Sequence, residues 1–569
     1  MPTDVLSQPT QRPPAPSPAR RRWLPDRYCF GGVVVAVLFA WTSLTPTLLP
    51  RGPLFQGLVL GASAAIGYGF GFLGSKLIRH LWPREASPPT KQIVKRVALA
   101  LGVLGTLVFL VWFWDWQSDL RAIMSAEPFP WFGYPAMVVI AALIFVGLVA
   151  LSRLLLHAVL WVERRVSRVI PRPFLATIIG VLVVALLFAI VNGFAARVIM
   201  AGLNNSFAAV NQETKAGDEP PTTELRSGGP GSNVTWDSLG RQGRVFMSNG
   251  PTIEQLEAFN DGRPALEPIR AYAGLDSGGD TIAENAQIAA DELDRAGGFD
   301  REVIAVATTT GTGWINESLA QSLEYMYNGD TAIVGLQYSY LPSWLSFLVD
   351  KERAHQAGAA LFDAVYDKWK QLPEDSRPKL LVMGESLGSF GGESAFGSVD
   401  DVEARTDGVL FMGPPNANRI WSDITAHRDG GSPEWLPVYE KGEMVRFGAI
   451  APEDLPRPGP EWDEPRMIYL QHASDPITWW SPELMLQKPD WLDEQRGYDV
   501  LDSTRWFPFV TFLQVSADMA VAANVPDGHG HTYVLDIADA WAAIVPPDGW
   551  TAADTQRLRD TLAGIGEDG

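Results

Sequence analysis

Cysteine is almost missing: the chain of 569 residues has one, Cys29. A single thiol excludes any disulfide within the chain and leaves the redox compartment unmarked. Histidine is scarce as well, seven in all, and neither an H-E-x-x-H nor a C-x-x-C spacing occurs. The pair His529 and His531 therefore has no third ligand at a usable spacing, and no metal or cofactor is expected. Basic residues are thin beyond residue 200, where 26 Lys and Arg face 58 Asp and Glu. Such an acidic surface repels phosphate backbones and excludes nucleic acid as a partner.

The first 199 residues reverse this balance, with 19 Lys and Arg against 7 Asp and Glu. After a Pro-, Gln- and Arg-rich tail (1–27, expected to be disordered), apolar stretches run near 28–49, 55–78, 94–114, 135–157 and 174–199. Each is long enough to cross ~30 Å of hydrocarbon as a helix, so residues 28–199 read as a five-helix transmembrane domain. The tail and the even loops hold the Lys and Arg, whereas the first loop offers only Arg51. This excess places the N-terminus in the cytoplasm and, after five crossings, the acidic remainder outside the plasma membrane. Gly57, Gly61, Gly67, Gly71 and Gly74 in the second stretch suit close helix packing, within the bundle or between protomers of an oligomer. Trp112, Trp114, Trp116 and Trp131 flank the third loop as an interfacial belt.

Residues 200–265 are rich in Gly, Pro, Ser and Thr and read as a linker with an irregular entry. From 266 to 569 the pattern alternates. Ile269–Ala273, Val303–Thr308, Thr331–Tyr338, Leu380–Met383 and Met467–Gln471 are strand-like; Asp280–Ala296, Asn316–Tyr327 and His355–Lys370 are helical. Alternation of this kind implies a mainly parallel sheet covered by helices.

One strand runs straight into Gly384-Glu385-Ser386-Leu387-Gly388, and small residues follow to Ala395. A strand, a G-x-S-x-G turn and a tightly packed helix form the elbow that presents a nucleophilic serine in the α/β-hydrolase fold. Ser386 is the expected nucleophile, with an inert turn serine as the rival reading. Its hydroxyl needs a base, and the base an orienting carboxylate, both later in the chain. Asp475 stands in the loop after a late strand, with Pro476 fixing the turn. His531 and His529 lie in a Gly-containing loop before the last helix; His531, at the helix start, is favoured as the base and His529 is the alternative. His427 reads as a surface residue, and His472 as structural. Oxyanion donors are expected at Leu387 and in the loop Thr309–Gly313, at Thr310 or Gly311.

Taken together, Thr310-Gly311-Thr312-Gly313-Trp314, the elbow, Gln471-His472-Ala473-Ser474-Asp475-Pro476 and Gly528-His529-Gly530-His531 resemble membrane-anchored α/β-hydrolases of actinobacteria. These carry an N-terminal multi-helix domain and a C-terminal catalytic domain. The resemblance implies a serine-hydrolase fold, without a defined substrate. Tethering at the outer membrane face makes an esterase or lipase-like enzyme acting on an envelope lipid or glycolipid ester the leading expectation. An acyltransferase with the same triad and a lipid or sugar hydroxyl acceptor is the second, and a non-catalytic scaffold the third. Leu341–Leu348, Trp479, Trp480, Trp491 and Trp506 could line an acyl pocket or dip a lid into the bilayer; core packing is the blander reading for each tryptophan.

Overall fold

The computed structural model describes residues 28–82, 87–166 and 207–566. Four helices come first: α1 (Phe30–Thr42), α2 (Pro53–Leu81), α3 (Pro88–Ile123) and α4 (Gly133–Val166). Three of them, α2, α3 and the part of α4 at Gly133–Val159, are long and apolar enough to cross a membrane. The stretch 28–49 departs from the sequence expectation. Its helix stops at Thr42 after 13 residues, about 20 Å and short of a full crossing. Beyond it Pro46 and Pro50 cannot donate helical hydrogen bonds, and Leu48 and Leu49 are fully buried in the core of the second unit. The stretch 174–199 lies outside the described residues.

The glycines of α2 are used inside the bundle. A Cβ on Gly57 or Gly61 would strike Ile140 or the Ala141 carbonyl of α4, and one on Gly67 or Gly71 would strike α1. Gly74 has open space around it.

The second unit is a seven-stranded, fully parallel sheet in the order β1-β3-β2-β4-β5-β7-β6. Its strands are β1 (Ile269–Ala273), β2 (Val303–Thr308), β3 (Thr331–Leu336), β4 (Lys379–Glu385), β5 (Gly408–Met412), β6 (Val445–Gly448) and β7 (Arg466–Leu470). Helices used below are α5 (Ile282–Arg295), α6 (Glu317–Met326), α7 (Ser343–Val349), α8 (Lys351–Trp369), α9 (Leu387–Glu393), α10 (Val510–Met519) and α11 (Ile537–Ile544). Val303, Ala305 and Ala307 of β2 face one core layer with α6 and α11, while Ile304 and Val306 face the other with α5 and α8. Burial on both faces explains why these strands read as unbroken apolar runs. The segment before β1 is more than a linker: Leu239, Phe246, Met247 and Leu256 sit on short helices and fill the α6 side of the core.

The two units share a core. Leu48 and Leu49 of the α1–α2 turn, with Leu120 and Met124 at the C-terminal end of α3, belong to the same apolar cluster as the sheet. At the centre of this contact Arg51 pairs with Asp518 of α10 at 3.3 Å, both fully buried. The Leu48 N–H donates to Asp518 at 3.3 Å, and the Gln514 amide donates to the carbonyl of Thr45 at 2.9 Å.

Candidate active site

β4 ends at Glu385, and the chain turns through Ser386 into α9. Ser386 has φ 56° and ψ −124°, a conformation costing a non-glycine residue of order 1–3 kcal/mol. Its N–H donates to the Met412 carbonyl at 2.8 Å, tying the turn to the end of β5. The flanking glycines are required by space. A Cβ on Gly384 would lie 2.5 Å from the Thr308 hydroxyl oxygen, and one on Gly388 2.3 Å from the Thr308 carbonyl. Thr308 fastens this crossing by donating from its hydroxyl to the Met383 and Gly388 carbonyls.

His531 and Asp475, 56 positions apart in the chain, meet at 2.6 Å through Nδ1 and Oδ2. Asp475 is fully buried; its Oδ2 also accepts from the Tyr533 hydroxyl at 2.5 Å and its Oδ1 from the Ile477 N–H at 2.8 Å. Burial, then the Asp475 charge, pushes the Tyr533 phenol well above its ordinary value, so it stays a donor. With Nδ1–H committed to Asp475, His531 Nε2 is the lone-pair nitrogen. It is buried and has no hydrogen-bond partner among the described residues. The ring lies against Gly413, where a Cβ would approach Cε1 to 2.3 Å, and the His531 N–H donates to the Ala522 carbonyl at 2.9 Å. Burial alone would lower this imidazole, but the charge and hydrogen bond of Asp475 and the charge of Glu385 outweigh it, and its pKa is raised.

Ser386 and His531 line one cavity of about 400 Å³, together with Thr310, Phe347, Leu387 and Met519. That size suits a small organic ligand or one acyl chain. Leu387, first residue of α9, has an N–H with no acceptor among the described residues, as does Gly311. Thr310 differs from the expectation. Its N–H donates to the Trp314 carbonyl at 3.1 Å, so the amide closes its own turn and Thr310 meets the cavity in another way.

His529, the alternative base, is drawn elsewhere. Its Nδ1 faces Asp499 at 3.2 Å, and Asp499 also accepts from the Ser474 hydroxyl. Ser474 in turn accepts from the Gly530 N–H at 2.8 Å. His472 is fully buried, donates to the Gly530 carbonyl at 3.0 Å and stacks on Tyr533. These residues brace the loop that carries His531. His427 is exposed on the surface. Among the described residues no cluster of three His, Cys, Asp or Glu side chains is placed to hold a metal ion.

Sequence reasoning passed over Tyr533 as a partner of Asp475, and over Glu385. The Glu385 carboxyl accepts from the Asn316 amide at 2.6 Å and borders the same cavity. Burial, only partly offset by His531 and Asn316, holds it above the usual carboxylate range. Its place inside the elbow was the available signal. Of the aromatic residues, Trp479 and Trp491 are buried in the core, while Phe347 borders the cavity and Trp480 packs on it.

Residues 269–558 match the alpha/beta-hydrolase family, and residues 44–251 match the N-terminal region of an alpha/beta-hydrolase family. The chain belongs to the alpha/beta-hydrolase family. No curated protein and no solved structure matches it. In this hydrolase the N-terminal match begins just after α1 and ends before β1, so it takes in the buried α1–α2 turn and the short helices at Trp236–Leu239 and Gly240–Ser248.

Proposed function

We propose that the protein is a serine hydrolase, an esterase of lipase-like type, working through an acyl-enzyme on a lipid or glycolipid ester. The observation that carries this reading is the buried Asp475–His531 pair, whose unpartnered Nε2 borders the same cavity as Ser386 on its strained turn. His531 Nε2 takes the Ser386 hydroxyl proton as Oγ attacks the ester carbonyl, and Asp475 stays ionised beside the imidazolium. The N–H groups of Leu387 and the Gly311 loop face the oxyanion. Collapse of the tetrahedral intermediate breaks the ester bond, and the imidazolium proton leaves on the alcohol. Water, deprotonated by His531, then releases the acid. If a lipid or sugar hydroxyl takes the place of water, the same intermediate yields acyl transfer. An intact Ser, His and Asp set counts against a scaffold without turnover.

The Lys and Arg distribution supports a plasma-membrane protein with the catalytic domain outside. Both helix turns that touch this domain belong to the end poor in free cations, and the one cation of the first turn, Arg51, is spent on Asp518.

A fluorophosphonate probe tests the reading. Labelling of the full chain in detergent micelles, lost in Ser386→Ala and His531→Ala and kept in His529→Ala, is the expected outcome. Well-folded wild type that takes no label would overturn it.

A further inference from the structure

α10 does not rest on top of the membrane helices; it runs beside one of them. At its C-terminal end Asp518 meets Arg51, ahead of the first residue of α2, while at its N-terminal end the Phe509 ring packs on Phe70 at 5.3 Å. Phe70 is the eighteenth residue of the 29 in α2, roughly 25 Å along the axis from Pro53 and roughly 16 Å from Leu81, inside a helix longer than a ~30 Å hydrocarbon layer is thick. Phe70 is itself 45% exposed, and Leu73 and Leu77 beyond it are 62% and 58% exposed, as side chains facing lipid would be.

The residues that accompany Phe509 suit that environment. The run Trp506-Phe507-Pro508-Phe509-Val510-Thr511-Phe512-Leu513 carries no charge. Phe509 is held at φ 63°, and its N–H donates to the Met485 carbonyl at 2.9 Å, which brings Leu486, 68% exposed, beside it. Exposed Lys488 and Arg505 bound these two segments in sequence and limit how much of the surface enters an apolar layer. From α10 an unbroken apolar path leads to the catalytic cavity. Phe512 packs on Trp480 at 5.7 Å, Trp480 on Phe347 at 6.2 Å, and Phe347 lines the cavity. Met519, Ala520 and Ala523, at and beyond the other end of α10, line the same cavity.

We propose that the surface made by Leu486 and the part-exposed Trp506, Phe507, Pro508, Phe509, Phe512 and Leu513 lies in the apolar layer of the membrane beside α2, and that the acyl chain of a membrane-resident ester enters the catalytic cavity from that layer. The substrate part rests on the serine-hydrolase reading above. The immersion part does not. Its occupant is the acyl-chain region of the bilayer, because the patch is continuous with the exposed face of a membrane-spanning helix.

Two measurements on the full chain in lipid nanodiscs test this. The first places bimane on Leu486→Cys in a Cys29→Ser background. Lipids brominated along their acyl chains should quench its emission at least twofold, and aqueous iodide should leave it unchanged; quenching by iodide alone overturns the proposal. The second compares Leu486→Asp with wild type on a long-chain glyceride in the nanodisc and on a soluble short-chain p-nitrophenyl ester. The variant should lose at least tenfold on the glyceride while short-chain turnover and fluorophosphonate labelling stay within twofold. A variant that keeps the wild-type ratio of the two rates overturns lateral entry. If the variant does not fold, the bimane result decides immersion by itself. A wild type that turns over neither ester, with bimane quenched by brominated lipid, removes the hydrolase reading and the substrate route while immersion stands.

Discussion

At the scale of single residues, the unusual feature is a second carboxyl group within the influence of the His531 imidazole. Asp475 holds His531 directly, and Glu385 acts on it through its charge, both raising its pKa against the opposing effect of burial. Only the neutral imidazole accepts a proton, so kcat/KM should fall as pH drops through a value above the ordinary ~6.5 of histidine. Glu385→Gln removes one of the raising charges. Its acid limb should move to lower pH with Ser386 labelling retained, and a pH–rate profile that overlays wild type would contradict this. Ser386 and Asp475 stood out as candidates in the sequence because each sits in a turn whose shape needs its neighbours: Gly384 and Gly388 for Ser386, Pro476 for Asp475. The choice between His529 and His531 was not settled by local pattern. Both stand in the same glycine loop, and what separates them is which distant carboxylate each meets, Asp499 or Asp475. Tyr533 was visible as a residue but not as a donor, since its partner lies 58 positions away.

Among the elements, β1, β2, β3, β4 and β7 fall within two residues of the boundaries read from apolar runs, because strands buried on both faces leave that mark. β5 and β6 were not read from the sequence: β6 is four residues interrupted by Arg446 and leaves no apolar run, whereas β5 has a run as long as those of β1 and β7 and was passed over. The contact that matters most for the position of Ser386 is between α8 and α9. A Cβ on Gly358 of α8 would lie 1.9 Å from the Gly391 carbonyl oxygen, and rigid backbone on both sides leaves it nowhere to go. Gly358→Ala should therefore destabilise the chain by about 1–3 kcal/mol or more and slow labelling of Ser386 by displacing the helix that follows it. Gly430, with nothing within 4 Å of a built Cβ, serves as the control: Gly430→Ala should leave the unfolding midpoint within a degree or so, as surface changes usually do.

For the whole molecule, the lesson lies in the α1–α2 turn. Leu44, Leu48 and Leu49 extend an apolar stretch that hydropathy assigns to lipid, yet Leu48 and Leu49 are buried in protein. Hydropathy registers exclusion from water and does not distinguish a bilayer from a core. The Arg51–Asp518 pair closes this contact and, through α10 and the Ala522 carbonyl, leads to the loop of His531. Arg51→Met leaves the Asp518 charge buried without its counter-ion and should cost about 3–5 kcal/mol, much of it recovered when Asp518→Leu is added. Thermal unfolding of both variants in detergent reads this directly, and equal midpoints for Arg51→Met and wild type would contradict it. Acyl transfer to the Ser386 oxygen is the step that every other part of the proposed reaction requires. Acid quenching within the first turnovers of an activated long-chain ester, followed by peptide mass analysis, should find the acyl group on the peptide containing Ser386 and find none in Ser386→Ala. Turnover of the ester that is equally fast in Ser386→Ala, with no adduct on that peptide in wild type, would contradict it.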